Sequence, residues 1–246
     1  MTALKISNPL LAKALDAHGG LDRWRSFTGM SSTIVSGGTL WALKGAPMIP
    51  IARTAVTDFA RQWTSVTPFG KADWTMTWTP DRVIVEDASG DLIAERDDPR
   101  TAFAGHGYDS PWDPLNLAYF NGYAMWTYHA LPFVLAEPGY EISDAAPILQ
   151  DGQRLRGLSV RFPASVHSHS RDQRFFFSDD GLLARHEYQV EVWAGTAAAH
   201  LLSDYIEVDG IKLPTRRRVH PRRPDGSIEG DVEIVTIDLS NYAFRQ

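Results

Sequence analysis

Residues 205–214 read Tyr205-Ile206-Glu207-Val208-Asp209-Gly210-Ile211-Lys212-Leu213-Pro214. Asp-Gly between two runs rich in apolar and β-branched residues is the strongest hairpin signal in the chain. The tight turn it forms needs positive φ at both central residues, which these two residue types tolerate. Similar punctuation occurs on either side, at Ser178-Asp179-Asp180-Gly181, Ala194-Gly195-Thr196 and Asp225-Gly226. Leu158, Val160 and Phe162 alternate with Ser159 and Arg161. In the first half, Trp74, Met76 and Trp78 alternate with Thr75, Thr77 and Thr79, and the runs 82–85 and 91–94 flank Ser89-Gly90. Period-two alternation with connections too short for crossover helices predicts antiparallel meanders over 31–96 and again after Gly139.

Helical signals interrupt this pattern twice. Asn8 caps and Pro9 starts a helix whose Leu10, Leu11, Ala14, Leu15 and His18 share one face, and Gly19-Gly20 ends it. His18 falls in its last turn, where a cation suits the helix dipole. A short second helix over 21–27 turns Leu21, Trp24 and Phe27 inward. Residues 97–138 form the second interruption: Asp113-Pro114 caps a helix from Leu115 to about Ala130. It is aromatic nearly all round, so it must be covered on several sides. It is either a lid over the sheet or a core helix filling a concave one. The expectation is one α+β domain over 1–246: a large curved antiparallel sheet, a half-barrel, wrapped around helices, with 97–138 as a helical insertion.

Composition narrows the function. The chain has 246 residues, 43% hydrophobic and 22% charged, enough for one sizeable core. It has no Cys, which excludes disulfides, thiolate metal sites and Cys nucleophiles. A net charge of −6 argues against a nucleic-acid partner. No apolar run reaches the roughly 18 residues of a membrane span. The start, Met1-Thr2-Ala3-Leu4-Lys5-Ile6-Ser7, lacks the pattern of a secretion signal, so a cytoplasmic location is expected.

Three stretches carry a family resemblance: His18-Gly19-Gly20-Leu21-Asp22-Arg23-Trp24, then Phe175-Phe176-Phe177 before Asp180-Gly181-Leu182-Leu183, and the 205–214 hairpin. With them the chain resembles the LolA/LolB-like lipoprotein-carrier superfamily, over the N-terminus and roughly 155–244. The resemblance implies a half-barrel that holds an apolar ligand. The same shape also hosts a small-molecule enzyme of the VioE-like type, so the fold leaves function open. The insertion at 97–138 departs from the small carriers.

Chemistry concentrates in His167-Ser168-His169-Ser170-Arg171-Asp172-Gln173-Arg174. If Ser178–Gly181 is a four-residue loop, Phe177 faces Leu182, Phe175 faces Ala184, Gln173 faces His186 and Arg171 faces Tyr188. One face then carries Phe175, Phe177, Val190 and Val192, and with them His167, His169, Arg171, Gln173, His186 and Tyr188. The opposite face, with Ser170, Asp172, Arg174, Arg185, Glu187, Gln189 and Glu191, is expected in solvent. The next strand places His200 and Asp204 inward beside Leu202, and Arg217 follows on the face of Leu213 and Val219.

Unpartnered buried polar groups cost about 1–3 kcal/mol each, so such a row implies a functional cavity or a paired network. The leading expectation is a cofactor-free enzyme of isomerase, lyase or cyclase type. His169 and His186 transfer protons, Arg171 and Gln173 orient substrate, and Tyr188, His200 and Asp204 support them. Trp74, Trp78, Trp126, Tyr119, Tyr123, Phe133 and His167 are expected to line the pocket of a small apolar or amphipathic molecule. The alternative is a non-catalytic carrier or sensor of such a molecule, in which Gln173–His186 is a plain cross-strand hydrogen bond. A third reading places a metal on His167, His169 and His186. His106 lies in the loop before the insertion, His129 on the aromatic helix, and His220 in an Arg-rich run read as a solvated edge strand. No phosphate loop, nucleophile elbow or His-Glu-x-x-His motif is present.

Overall fold

The computed structural model describes residues 6–46 and 51–246. Residues 1–5, on which the location reading rests, lie outside them, as do residues 47–50 within the first predicted meander. Among the described residues, thirteen strands form one antiparallel sheet. The first meander is β1 (Gly29–Gly37), β2 (Arg53–Asp58), β3 (Trp63–Thr67), β4 (Thr75–Trp78), β5 (Arg82–Glu86) and β6 (Leu92–Asp97). The second is β7 (Glu141–Gln150), β8 (Gln153–Arg161), β9 (Asp172–Phe177), β10 (Leu183–Val190), β11 (Thr196–Val208), β12 (Ile211–Pro221) and β13 (Val235–Arg245). Each strand pairs with its sequence neighbour, and β1 pairs with β13 to join the meanders. The edges are therefore β6 and β7, and residues 98–140 cross between them.

The helices are α1 (Pro9–Ala17), α2 (Leu21–Trp24), α3 (Leu40–Leu43) and α4 (Pro114–Ala130). The side chain of Asn8 accepts from the N–H groups of Leu10 and Leu11, as its cap role requires. α4 opens with a capping box between Asp113 and Asn116. It packs against β2–β5, and every residue from Ala118 to Ala136 is buried. The curved sheet thus wraps around a helix that is buried on all sides, as a half-barrel does.

The stretches at 18–24 and 205–214 meet. Asp209 and Gly210 turn with φ of 50° and 81°. The Lys212 N–H donates to the His18 carbonyl at 2.9 Å, and Arg23 Nε donates to the Asp209 carbonyl at 2.7 Å. A Cβ on Gly19 would lie 2.1 Å from the Gly210 oxygen, so only glycine fits there. His18 is not a helix-end cation. Its Nδ1–H donates to the Ala14 carbonyl at 2.7 Å, and burial lowers its pKa to about 4, which keeps it neutral.

Three expectations about the second meander are corrected. Phe177 pairs with Leu183 and Phe175 with His186, because a bulge lies between Leu183 and Arg185. The slip is one position at Phe177 and two beyond the bulge, so His186 and Tyr188 still share the face of Phe175. Arg185 and Glu187 on the opposite face are buried rather than solvated. Arg185 pairs with Glu187 at 2.6 Å and donates to Gln150 and to the Gly226 carbonyl, while Arg174 and Arg222 also pair with Glu187. The segment after β12 folds back over this face and closes it. Finally, β12 is an interior strand between β11 and β13. Its run divides by face: Arg217 points inward, Arg218 pairs with Asp238 at 2.7 Å, and His220 is buried against the Val232 carbonyl.

Candidate functional site

The inward row assembles only in part. Gln173, His186, Tyr188, His200 and Arg217 project from β9, β10, β11 and β12 into the concave interior, and all are buried. His169 reaches the same place from the loop before β9. Arg171 does not, because β9 begins only at Asp172. Its side chain is exposed and its Nε donates to the Phe162 carbonyl at 3.3 Å. Asp204 is exposed as well. Its φ is 56°, a local break in the extended backbone of β11, and Tyr205 beside it turns inward to donate to the Leu183 carbonyl.

α4 supplies the partners that the strand reading missed. Both ring nitrogens of His169 are held by its tyrosines: Nδ1 by Tyr123 Oη at 3.3 Å and Nε2 by Tyr128 Oη at 2.9 Å. The His169 ring stacks on Tyr188 with centroids 3.9 Å apart. Tyr128 Oη lies 3.4 Å from Tyr188 Oη, which lies 3.5 Å from His200 Nδ1. Gln173 donates to Ser168 Oγ and the Ser170 carbonyl, so its Oε1 accepts from His186 Nε2 at 2.5 Å. That assignment puts the His186 proton on Nε2. His186 Nδ1 and His200 Nε2 are buried with no partner among the described residues. At the rim, Tyr119 Oη meets His167 Nδ1 at 2.9 Å and accepts from Arg100.

Burial governs the protonation states. It lowers His169 to about 3, with Arg100 adding to the effect. It holds His186 and His200 well below the usual imidazole range, and Arg217 lowers both further. Tyr128 is pushed up to about 12, chiefly by burial. At neutral pH the cluster is therefore a set of neutral rings and phenols. Among the described residues, no three acidic or imidazole side chains converge as a metal would require. His167 instead spends Nδ1 on Tyr119, His169 both nitrogens on Tyr123 and Tyr128, and His186 Nε2 on Gln173.

Arg217 brings a positive charge to this cluster. It is 2% exposed. Nη2 donates to the Tyr128 carbonyl at 2.9 Å, and the guanidinium lies 4.8 Å from the Tyr128 ring centroid. Nε and Nη1 have no partner among the described residues. A guanidinium cannot shed its proton, and burying one costs several kcal/mol. The helix-end carbonyl contributes about 0.3–2 kcal/mol and the ring face about 0.5–2 kcal/mol, so both together offset only part of that.

Next to this cluster, a cavity with about 30 Å³ of open space lies between α4, α3 and β10–β13. Trp41, Phe120, Met125, Trp193, Val235 and Ile237 supply apolar wall, and Tyr128, His169 and Tyr188 supply its polar side. The predicted wall residues lie elsewhere. Trp78 is buried against Gly122, and Phe133 stacks on Trp24 at 4.5 Å. Trp126 donates to the Asp58 and Arg61 carbonyls, and Trp74 is half-buried under Lys71. Tyr119 and Tyr123 belong to the hydrogen-bonded cluster. α4 turns Phe120, Ala124 and Met125 to the cavity, a face that an all-round aromatic sequence does not single out.

No family model matches the chain, and no curated protein matches its sequence. Solved structures do match its shape. A DUF1329 family protein from Desulfovibrio piger aligns with TM-score 0.54 at 15% identity, covering 97% of this chain and 94% of that one. A LolA superfamily protein from Nitrosomonas europaea aligns with TM-score 0.51 at 10% identity, covering 96% and 92%. A domain from Vibrio parahaemolyticus named for outer membrane lipoprotein sorting aligns with TM-score 0.51 at 10% identity, covering 94% of each chain. The expected half-barrel is thus the observed one, and the chain has a LolA-like fold.

Proposed function

We propose that the protein binds and carries an apolar or amphipathic small molecule in the hollow between α4 and the sheet. One observation carries the reading: an enclosed space walled mainly by apolar side chains, with a few fixed polar groups on one side. Its small volume means that an acyl chain enters by displacing side chains. Met125 on its wall is unbranched and adapts readily. The likeness of shape to a LolA superfamily protein and to a domain named for lipoprotein sorting supports the same reading.

Acid–base catalysis by His169 and His186 fits less well. A proton-transfer group works best with a pKa near the operating pH. His169 is lowered to about 3 and has both nitrogens engaged, and His186 is lowered well below its ordinary range. The test is native mass spectrometry of the freshly purified protein, followed by titration of the delipidated protein with a fluorescent acyl probe. A co-purifying amphiphile and saturable uptake are expected, and His169→Ala should change uptake by no more than about threefold. Absence of both the adduct and the uptake would end the carrier reading.

A further inference from the structure

We propose that Arg217 is the receptor for an anionic head group, so that the ligand is an amphiphile ending in a carboxylate or phosphate. The proposal rests on the carrier reading and specifies its ligand. It starts from the placement of Arg217 on β12, an interior strand of the sheet. In the sheet register Arg217 stands opposite Leu202 on β11 and Ile237 on β13. Ile237, Val219 on the same strand and the Tyr128 ring beneath the guanidinium are all walls of the apolar cavity. Arg217 is not itself on the cavity wall, so the charge lies one side chain behind it, covered by the Tyr128 ring and flanked by Val219 and Ile237.

The chemistry of the surroundings selects the ligand. Nε and Nη1 of Arg217 are enclosed and have no acceptor among the described residues. The groups around it are neutral, namely Tyr128, Tyr188, His186 and His200, and no carboxylate pairs with it among the described residues. The outer face of the same sheet treats its arginines differently: there Arg174, Arg185 and Arg222 share Glu187. A planar guanidinium with free N–H groups in an apolar setting matches an oxyanion, and the bond is strongest where water is excluded. A second inward arginine, Arg53, donates to Ser36 Oγ at 2.8 Å. Among the described residues it leaves no enclosed donor without a partner.

The experiment compares lauric acid, lauryl phosphate and lauryl alcohol as competitors of a fluorescent acyl probe. For the wild type, at least one of the two anions is expected to compete at about tenfold or more lower concentration than the alcohol. Which anion does so identifies the head group. In Arg217→Met the preference should vanish while competition by the alcohol is kept, and in Arg53→Met it should persist. Should Arg217→Met not fold, Arg217→Lys serves: its ammonium keeps the charge without the planar face, so affinity for the anion should drop and affinity for the alcohol should not. Equal competition by all three in the wild type would overturn the head-group assignment and leave the carrier reading standing. Failure of all three, together with the probe, would remove the carrier reading and this proposal with it. A preference that survives Arg217→Met and disappears in Arg53→Met would also overturn it.

Discussion

Gly122 sits in the middle of α4, where helix propensity favours alanine by about 1 kcal/mol. Its surroundings decide otherwise. A Cβ there would lie 2.2 Å from Trp78 Cγ and 2.3 Å from Trp78 Cβ, and Thr64 Oγ1 donates to the Gly122 carbonyl at 2.9 Å. The helix rests directly on β3 and β4, and neither backbone can retreat from a packed core. Gly122→Ala is therefore expected to lose about 3 kcal/mol or more in urea unfolding, through overpacking. A gain in stability would mean that α4 does not lie against Trp78. At this scale two-residue alternation places side chains correctly where it holds and fails where it breaks. His186, Tyr188, His200 and Arg217 reached the interior, because two-residue periodicity carries through a regular strand. Arg171 and Asp204 did not, because a strand start and one left-handed residue reset the alternation, and neither leaves a mark in the pattern of polar and apolar residues.

The strand β10 shows why burial of the outer face leaves no signal in the sequence. It buries His186 and Tyr188 on one side and Arg185 and Glu187 on the other. A strand buried on both faces by charged groups has the same composition as one that is half exposed, so polarity alone cannot distinguish them. Only the chain that folds over it, through Gln150 and Gly226, does so. The bulge between Leu183 and Arg185 was equally invisible, yet its two-position slip left the faces intact. Removing the Glu187 charge leaves Arg185 buried without its counter-ion. Glu187→Gln is expected to destabilise by about 3–5 kcal/mol, as broken buried ion pairs do. Glu95→Gln breaks the exposed pair with Arg82 and should cost no more than about 1 kcal/mol. Chemical denaturation of the two variants side by side checks the contrast. Similar small losses in both would place Glu187 in solvent.

The whole molecule stores a large number of neutral imidazoles, and this sets its response to acid. Burial is the main cause in each case: His129 and His169 are lowered to about 3, His18 to about 4, and His186 and His200 well below the usual range. In the unfolded chain the same groups protonate near pH 6.5. Below that pH the unfolded state binds protons that the native state refuses, so stability falls as pH falls. The loss continues until the folded pKa values are reached. Within the window each imidazole contributes a slope of up to about 1.4 kcal/mol per pH unit. Carboxylates add little above about pH 5, which separates their effect from this one. The urea midpoint is therefore expected to be nearly flat from about pH 8 to pH 7 and to fall steeply between about pH 6.5 and pH 5, with an unchanged m-value. His129 offers the internal control. Its nitrogens are held by Ser32 and Thr57, where α4 meets β1 and β2 and away from the cavity wall. A bound amphiphile should raise the midpoint at every pH by mass action without removing the slope, since His18 and His129 lie apart from the ligand. A midpoint that stays level down to about pH 5 would mean that these rings take up protons in the folded state, and the sealed interior on which the carrier reading depends would have to be given up.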